Sequence, residues 1–267
     1  MKRNIVCRCY SLFAVIVMAT AAAAQAPVDS AAKSMTSSTT KGEWHWLIEP
    51  YLMLANMNGN MGLGSLPEVN VDANPHDIFS HVKVGAMAYA EARSQHWILS
   101  SDLTYMRLGE DVSKDNGVVA GHADAKQLGW ELAALWRWKP WLAIGLAGQL
   151  NDLKSELTVS VNDGTTTNAQ SSSFRKTWVD PSFVAAAAMP LKGKWALRVR
   201  GNIGGFGIAS KIYWQTQAYI DFHLNKLIQF SAGYRAIKVD YEKGSGSDYF
   251  LYNITTFGPV FRFGLNF

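Results

Sequence analysis

Arg198 and Arg200 stand two residues apart in a tract that alternates apolar and polar side chains. In a strand both would point to one face, about 7 Å apart. Two guanidinium groups that close need carboxylate partners, and neighbouring tracts offer Asp180 and Asp221. The same polar faces carry six acids (Glu49, Glu91, Asp102, Glu131, Asp180, Asp221) and seven bases (Lys83, Arg93, Arg137, Arg198, Arg200, Arg235, Arg262). Near-equal numbers of opposite sign on facing walls allow two chemistries. They can pair into an ionic lattice that stiffens the fold, or they can line a charged constriction that selects small solutes.

Other reactive constellations are thin. The six histidines (His45, His76, His81, His96, His122, His223) show no H-x-x-x-H spacing, so neither a metal site nor a cofactor is expected. His122 and Asp124 lie near an expected loop, which leaves loop-borne His/Asp hydrolysis open, and Asp221 and His223 share a face. No G-x-S-x-G elbow offers a serine nucleophile. Met53, Met57 and Met61 read as packing, and the glycines of 201–207 follow a strand without opening a helix, unlike a phosphate loop. No catalytic residue is assigned, and the expectation is a protein that is not an enzyme.

The elements that would position these groups are strands. Val82, Val84, Ala86, Ala88, Ala90 and Ala92 alternate with Lys83, Gly85, Met87, Tyr89, Glu91 and Arg93. Ile212 to Leu224 alternates in the same way against Tyr213, Gln215, Gln217, Tyr219, Asp221 and His223. Such tracts fall at about 43–56, 80–93, 96–109, 123–138, 141–152, 174–190, 194–205, 212–225, 227–242 and 249–267. A soluble sandwich also alternates, but its strands run to roughly 5–6 residues. Most of these tracts reach the ~9–11 residues that cross a bilayer at a tilt.

Connection lengths alternate too. Tight turns at 93–96, 139–140, 191–193 and 225–226 trade places with longer links at about 57–79, 110–122, 153–173, 206–211 and 243–248. Short turns at one end and long loops at the other are a transmembrane-barrel pattern. Trp97, Trp138, Trp141 and Trp195 flank the short turns, while Tyr105, Trp178, Trp214, Tyr249 and Tyr252 lie toward the long loops. They are expected to form two interfacial belts. The predicted fold is all-β, an antiparallel up-and-down transmembrane barrel of about ten strands.

The chain of 267 residues is only 17% charged and 12% aromatic, and its mean hydropathy of −0.03 is too polar for long apolar helices. These totals exclude a disordered chain, a disulfide scaffold and a zinc cluster. Lys2, Arg3 and Arg8 precede an apolar run over 12–18 and Ala22-Ala23-Ala24, which reads as a signal peptide over 1–24. Residues 25–42 read as a flexible periplasmic leader and 43–267 as the barrel. Both cysteines, Cys7 and Cys9, lie ahead of the apolar run. Removing 1–24 leaves 22 basic against 21 acidic residues, with no basic cluster, so nucleic acid is not an expected partner.

Several motifs resemble a group of proteobacterial outer-membrane β-barrel proteins. They are Gly201-Asn202-Ile203-Gly204-Gly205-Phe206-Gly207, Trp214-Gln215, Gly233-Tyr234-Arg235, Val239-Asp240-Tyr241 and Gly258-Pro259 before the aromatic end. Pro50-Tyr51 and Asp102-Leu103-Thr104-Tyr105 are similar as well. The last strand, 261–267, ends on Phe267 like the assembly signal of such proteins. The resemblance spans about 43–267 and implies an outer-membrane location, outer-membrane lipid and the assembly machinery as partners, and no catalytic residues. The function expected is porin-like, with a narrow charged lumen that passes a small solute or serves a structural role. The alternatives are a surface-interaction barrel acting through its loops, and a membrane-embedded hydrolase.

Overall fold

The computed structural model describes residues 43–65, 67–114, 119–162 and 167–267. The expected signal peptide and leader lie outside them. All ten alternating tracts are strands: β1 (His45–Met53), then β4 (Val82–Arg93), β5 (Trp97–Lys114), β6 (Val119–Lys139), β7 (Leu142–Asn162), β8 (Thr167–Pro190), β9 (Trp195–Gly204), β10 (Ile212–His223), β11 (Ile228–Lys243) and β12 (Phe250–Asn266). Each pairs antiparallel with its neighbour in sequence, and β1 pairs with β12 to close the barrel. Closure satisfies backbone groups that hydrocarbon cannot solvate.

The link at 57–79 was expected to be an open loop. It folds into β2 (Asn56–Leu63), β3 (Val69–Ala73) and helix α1 (Pro75–His81). Asn74 caps α1: its side chain accepts from Asp77 N at 3.1 Å and Asp77 returns a bond to Asn74 N, with Pro75 in the first turn. The links at 110–122 and 153–173 are also mostly strand, because β5 pairs with β6 up to Lys114–Val119 and β7 with β8 up to Asn162–Thr167. These segments are rich in Gly, Ser, Thr and Asn, although Leu157, Val159 and Val161 continue the alternation of β7, and the neighbouring strand supplies the rungs.

β2 continues β1. The register along β12 runs without a slip from Leu47–Asn266 through Met53–Val260 to Leu63–Phe250. The opposite edge forks. β1 pairs with β4 only from His45–Arg93 to Pro50–Ala88, and β2 pairs with β3 from Met57–Ala73 to Met61–Val69.

The short turns are set by side chains. Asn225 accepts from Leu227 N and Ile228 N, both at 2.8 Å, and Ser94 Oγ accepts from Trp97 N at 3.0 Å. Gly193, at φ +70°, takes the left-handed corner of the 191–194 turn.

Alternation gives the wall two faces. Trp46, Leu99, Leu132, Leu146, Phe183, Ile203 and Phe261 form an exposed apolar girdle. Trp97, Trp138, Trp141 and Trp195 are exposed near the short turns, and Phe267 is exposed at the end of the chain, its backbone bonded both ways to Trp46. The upper belt is corrected. Tyr105 and Trp214 share the outward faces of β5 and β10, while Tyr249 sits in the β11–β12 link, donating to Glu68 at 3.4 Å. Trp178 and Tyr252 are buried inside the barrel. Residue type suggested a belt for these two, but strand parity turns them inward.

Candidate functional site

The inward faces of β1, β5, β6, β9, β10, β11 and β12 converge on an ionic floor. Glu49 is 0% exposed. It accepts from Arg198 Nη2 at 2.7 Å, from Arg262 Nη1 at 3.1 Å and from Gln229 Nε2 at 2.7 Å. Arg198 also donates to Asp221 at 2.9 Å and Ser231 at 3.1 Å. Arg262 donates to Tyr219 OH at 2.9 Å and lies over the Tyr219 ring at 4.2 Å and the Tyr51 and Tyr89 rings at 4.9 Å each.

A second group stacks beside it. Arg200 donates to Glu131 at 2.5 Å and to Ser100 at 3.0 Å, and Glu131 accepts from Asn202 at 2.6 Å. Arg235 donates to Tyr51 OH at 2.8 Å and to Gln215 at 2.7 Å, and lies 3.1 Å from Asp102. Tyr51 passes its own proton toward Asp102, at 2.6 Å. Four arginines thus face four carboxylates (Glu49, Asp102, Glu131, Asp221), and the floor carries no net charge. Single removals are expensive in such a lattice because the partner charge stays buried.

The remaining charges of the expected network lie elsewhere. Glu91 pairs with Arg93 near the short-turn end, and Tyr89 donates to Glu91 at 2.6 Å. Arg137 forms no ion pair among the described residues; it donates to the turn carbonyls of Ser94 at 3.0 Å and Pro140 at 3.3 Å. Asp180, expected to answer Arg198 and Arg200, instead anchors the β9–β10 link. It accepts from Ser210 N at 2.8 Å, Ser210 Oγ at 2.7 Å and Trp178 Nε1 at 3.0 Å. Lys83 is exposed and lies over Gly109 beside Asp124, because a bulge between Val82 and Val84 breaks the alternation of β4.

Above the floor the lumen is apolar and aromatic, not polar as expected. Trp178 stacks on Tyr241 with ring centroids 4.2 Å apart, and Phe250, Tyr252, Ile254 and Val239 pack around them. Beneath and beside this cluster lies a cavity of about 300 Å³. Met53, Met57, Met87 and Met106 line its side, and Tyr51, Thr104, Gln127 and Asn151 reach it with polar groups. The tyrosines and glutamines of this interior (Tyr51, Tyr219, Gln215, Gln217, Gln229) went unassigned in sequence, although they alternate in step with the charged residues.

His122 and Asp124 lie on β6, on the outward face shared with Trp130 and Leu132. Arg107 holds both Asp124 oxygens at 2.9 and 3.1 Å, and His122 Nε2 lies 2.8 Å from Oδ2. His223 Nδ1 lies 3.3 Å from the Lys194 carbonyl. Among the described residues no group of three or more His, Cys, Asp or Glu is placed to hold a metal ion.

No protein-family model matches the chain, and no curated protein does. Solved structures do. The outer membrane protease OmpT from Escherichia coli superposes with a TM-score of 0.52 at 6% identity, over 87% of this chain and 99% of that one. Ail of Yersinia pestis overlaps at TM-score 0.33 and 12% identity, over 85% and 100% of the two chains. The toluene transporter TodX of P. putida gives 0.33 and 8%, over 90% and 93%. The OmpT likeness is one of fold. A closed sheet with an exposed apolar girdle and an ionic interior gives this chain the fold of an outer-membrane β-barrel.

Proposed function

We propose that the protein is a small-solute barrel of porin-like type, with a ligand chamber above a shut floor. The observation that carries this reading is Glu49, which receives Arg198, Arg262 and Gln229 from three other strands and draws the lumen closed around itself. Ten strands enclose little more than the side chains that point inward. A floor without net charge offers a permeating ion no attraction, while the cavity above it offers a neutral or apolar solute a pocket. Outer-membrane lipid would cover the girdle, and the assembly machinery would receive the strand that ends in Phe267.

Planar-bilayer recording tests this. Wild-type protein should show no steady conductance, and Arg198→Ala should open a small one. A lasting, ion-selective conductance in the wild type would overturn the reading in favour of a filter.

A further inference from the structure

Between β1 and β4 the barrel wall is breached within the apolar girdle. The last rung joining them is Pro50–Ala88. Above it, Val82 to Met87 pair with β5 alone, and the edge of Tyr51 to Asn56 meets no strand until β3 joins at Met57. Unjoined edges are unfavourable in hydrocarbon, where no water satisfies them. Alternation sends Tyr51 and Met53 inward and Leu52 outward, and Leu52 is half exposed. Leu52 and the outward Ala86 nevertheless border the same cavity as the inward Met53, Met87 and Met106. The cavity thus reaches the edge that no rung closes, where β1 and β4 part above Pro50–Ala88.

The height of the breach decides what it opens onto. Leu52 pairs with Phe261 of the girdle, and Ala86 pairs with Tyr105 at its upper edge. The lower part of the opening therefore lies at the height of the apolar girdle, while Lys83 and Arg107 border its upper end. Helix α1 stands across it, with Ile78 buried, Phe79 exposed and both bordering the cavity.

We propose that the chamber is loaded sideways: an apolar molecule with one neutral hydrogen-bonding end enters from the membrane between β1 and β4, with α1 as the lid. This deepens the chamber reading above and rests on it. The ligand class follows from the lining. Four methionines give an unbranched, adaptable apolar wall, suited to an alkyl chain more than to a rigid shape. Thr104 beside Met87, and Gln127 and Asn151 on β6 and β7, supply neutral donors and acceptors. The nearby charges, Asp102 and Arg235, already hold each other, so the polar end is better matched by an alcohol than by an ion. The volume lies at the small end of the ~300–1,000 Å³ of ligand pockets.

The test uses a diazirine-bearing 1-decanol in vesicles of phosphatidylcholine containing the full protein, with adducts located by mass spectrometry. Leu52→Cys and Ala86→Cys are joined by a bis-maleimide that reduction can cleave; the native cysteines, Cys7 and Cys9, lie in the expected signal peptide. Adducts on the chamber methionines should saturate and yield to unlabelled 1-decanol. Joining the strands should slow that labelling at least tenfold, and cleavage should restore it. Unchanged labelling in the joined protein would overturn the lateral route and leave the chamber reading standing, since the ligand then enters from above. Absence of saturable labelling in the wild type would overturn both. Phe79→Ala, which leaves both strands intact, should label faster; an unchanged rate would remove α1 from its role as lid.

Discussion

Arg262 on the last strand and Glu49 on the first lie 3.1 Å apart, Nη1 to Oε2, on the inner side of the seam where the sheet closes. The backbone ladder there loses rungs around Glu49 and Pro50, so this pair ties the two ends of the sheet where main-chain pairing is interrupted. Arg198 reaches the same carboxylate from the far wall. One side chain thus joins the seam to the opposite side of the barrel.

Replacing that carboxylate should weaken the whole barrel. Glu49→Ala leaves Arg198 and Arg262 short of a buried partner, a loss on the order of 3–5 kcal/mol. The unboiled protein should lose its folded gel mobility at a clearly lower temperature. Glu49→Gln, which keeps an acceptor, should fall between. Wild-type heat resistance in Glu49→Ala would show that the floor does not hold the seam.

Arg200 and Glu131 should behave as a coupled unit. Each is buried and each is the other's ionic partner. Arg200→Met and Glu131→Gln should each destabilise, and the double variant should lose less than the two losses added. Urea unfolding in vesicles should give a coupling of roughly 0.5–3 kcal/mol. Strict additivity would mean that the pair contributes no interaction.

Asp180 should govern the β9–β10 link and not the ionic floor. It is the buried acceptor for both hydrogen-bond donors of Ser210, next to the exposed Lys211. In Asp180→Ala, trypsin should cut the folded barrel after Lys211, where the wild type resists. Conductance should stay unchanged. A variant that conducts while its link stays intact would assign Asp180 to the floor.

The girdle should reject charge. Leu146 is 60% exposed, between Ile144 and Gly148 on the outward face of β7. Leu146→Arg should destabilise the protein in vesicles by about 2–4 kcal/mol, and Leu146→Phe should change little. Equal stability of the two would mean that this face is not in lipid.

Parity along a strand is written in the sequence, because side chains alternate whatever the neighbours do. It was enough to turn Glu49, Asp102, Glu131, Arg198, Arg200, Asp221, Arg235 and Arg262 to one side of the wall. Ten long tracts with short and long links in turn were enough for a closed barrel. Where parity was set aside for residue type, as with Trp178 and Tyr252, the assignment failed. Where a bulge broke it, as beside Lys83, it could not have succeeded.

Partnership across the lumen was not legible. Asp180 is on β8, paired with the strand that bears Arg200, yet Arg200 finds Glu131 on β6 and Asp180 holds a loop serine. The choice depends on strand stagger and on which side chains meet in the middle, and both are set only when the sheet closes. The breach between β1 and β4 is of the same kind. Residues 51–56 carry no mark of a missing neighbour, because a strand edge is joined or left open by what the rest of the chain brings to it. The sequence by itself determined the ten long strands, their two faces and the barrel, but not β2, β3 or α1. Closure decided the pairings, the apolar chamber and the gap in the wall, since each depends on groups far apart in the chain arriving at one height.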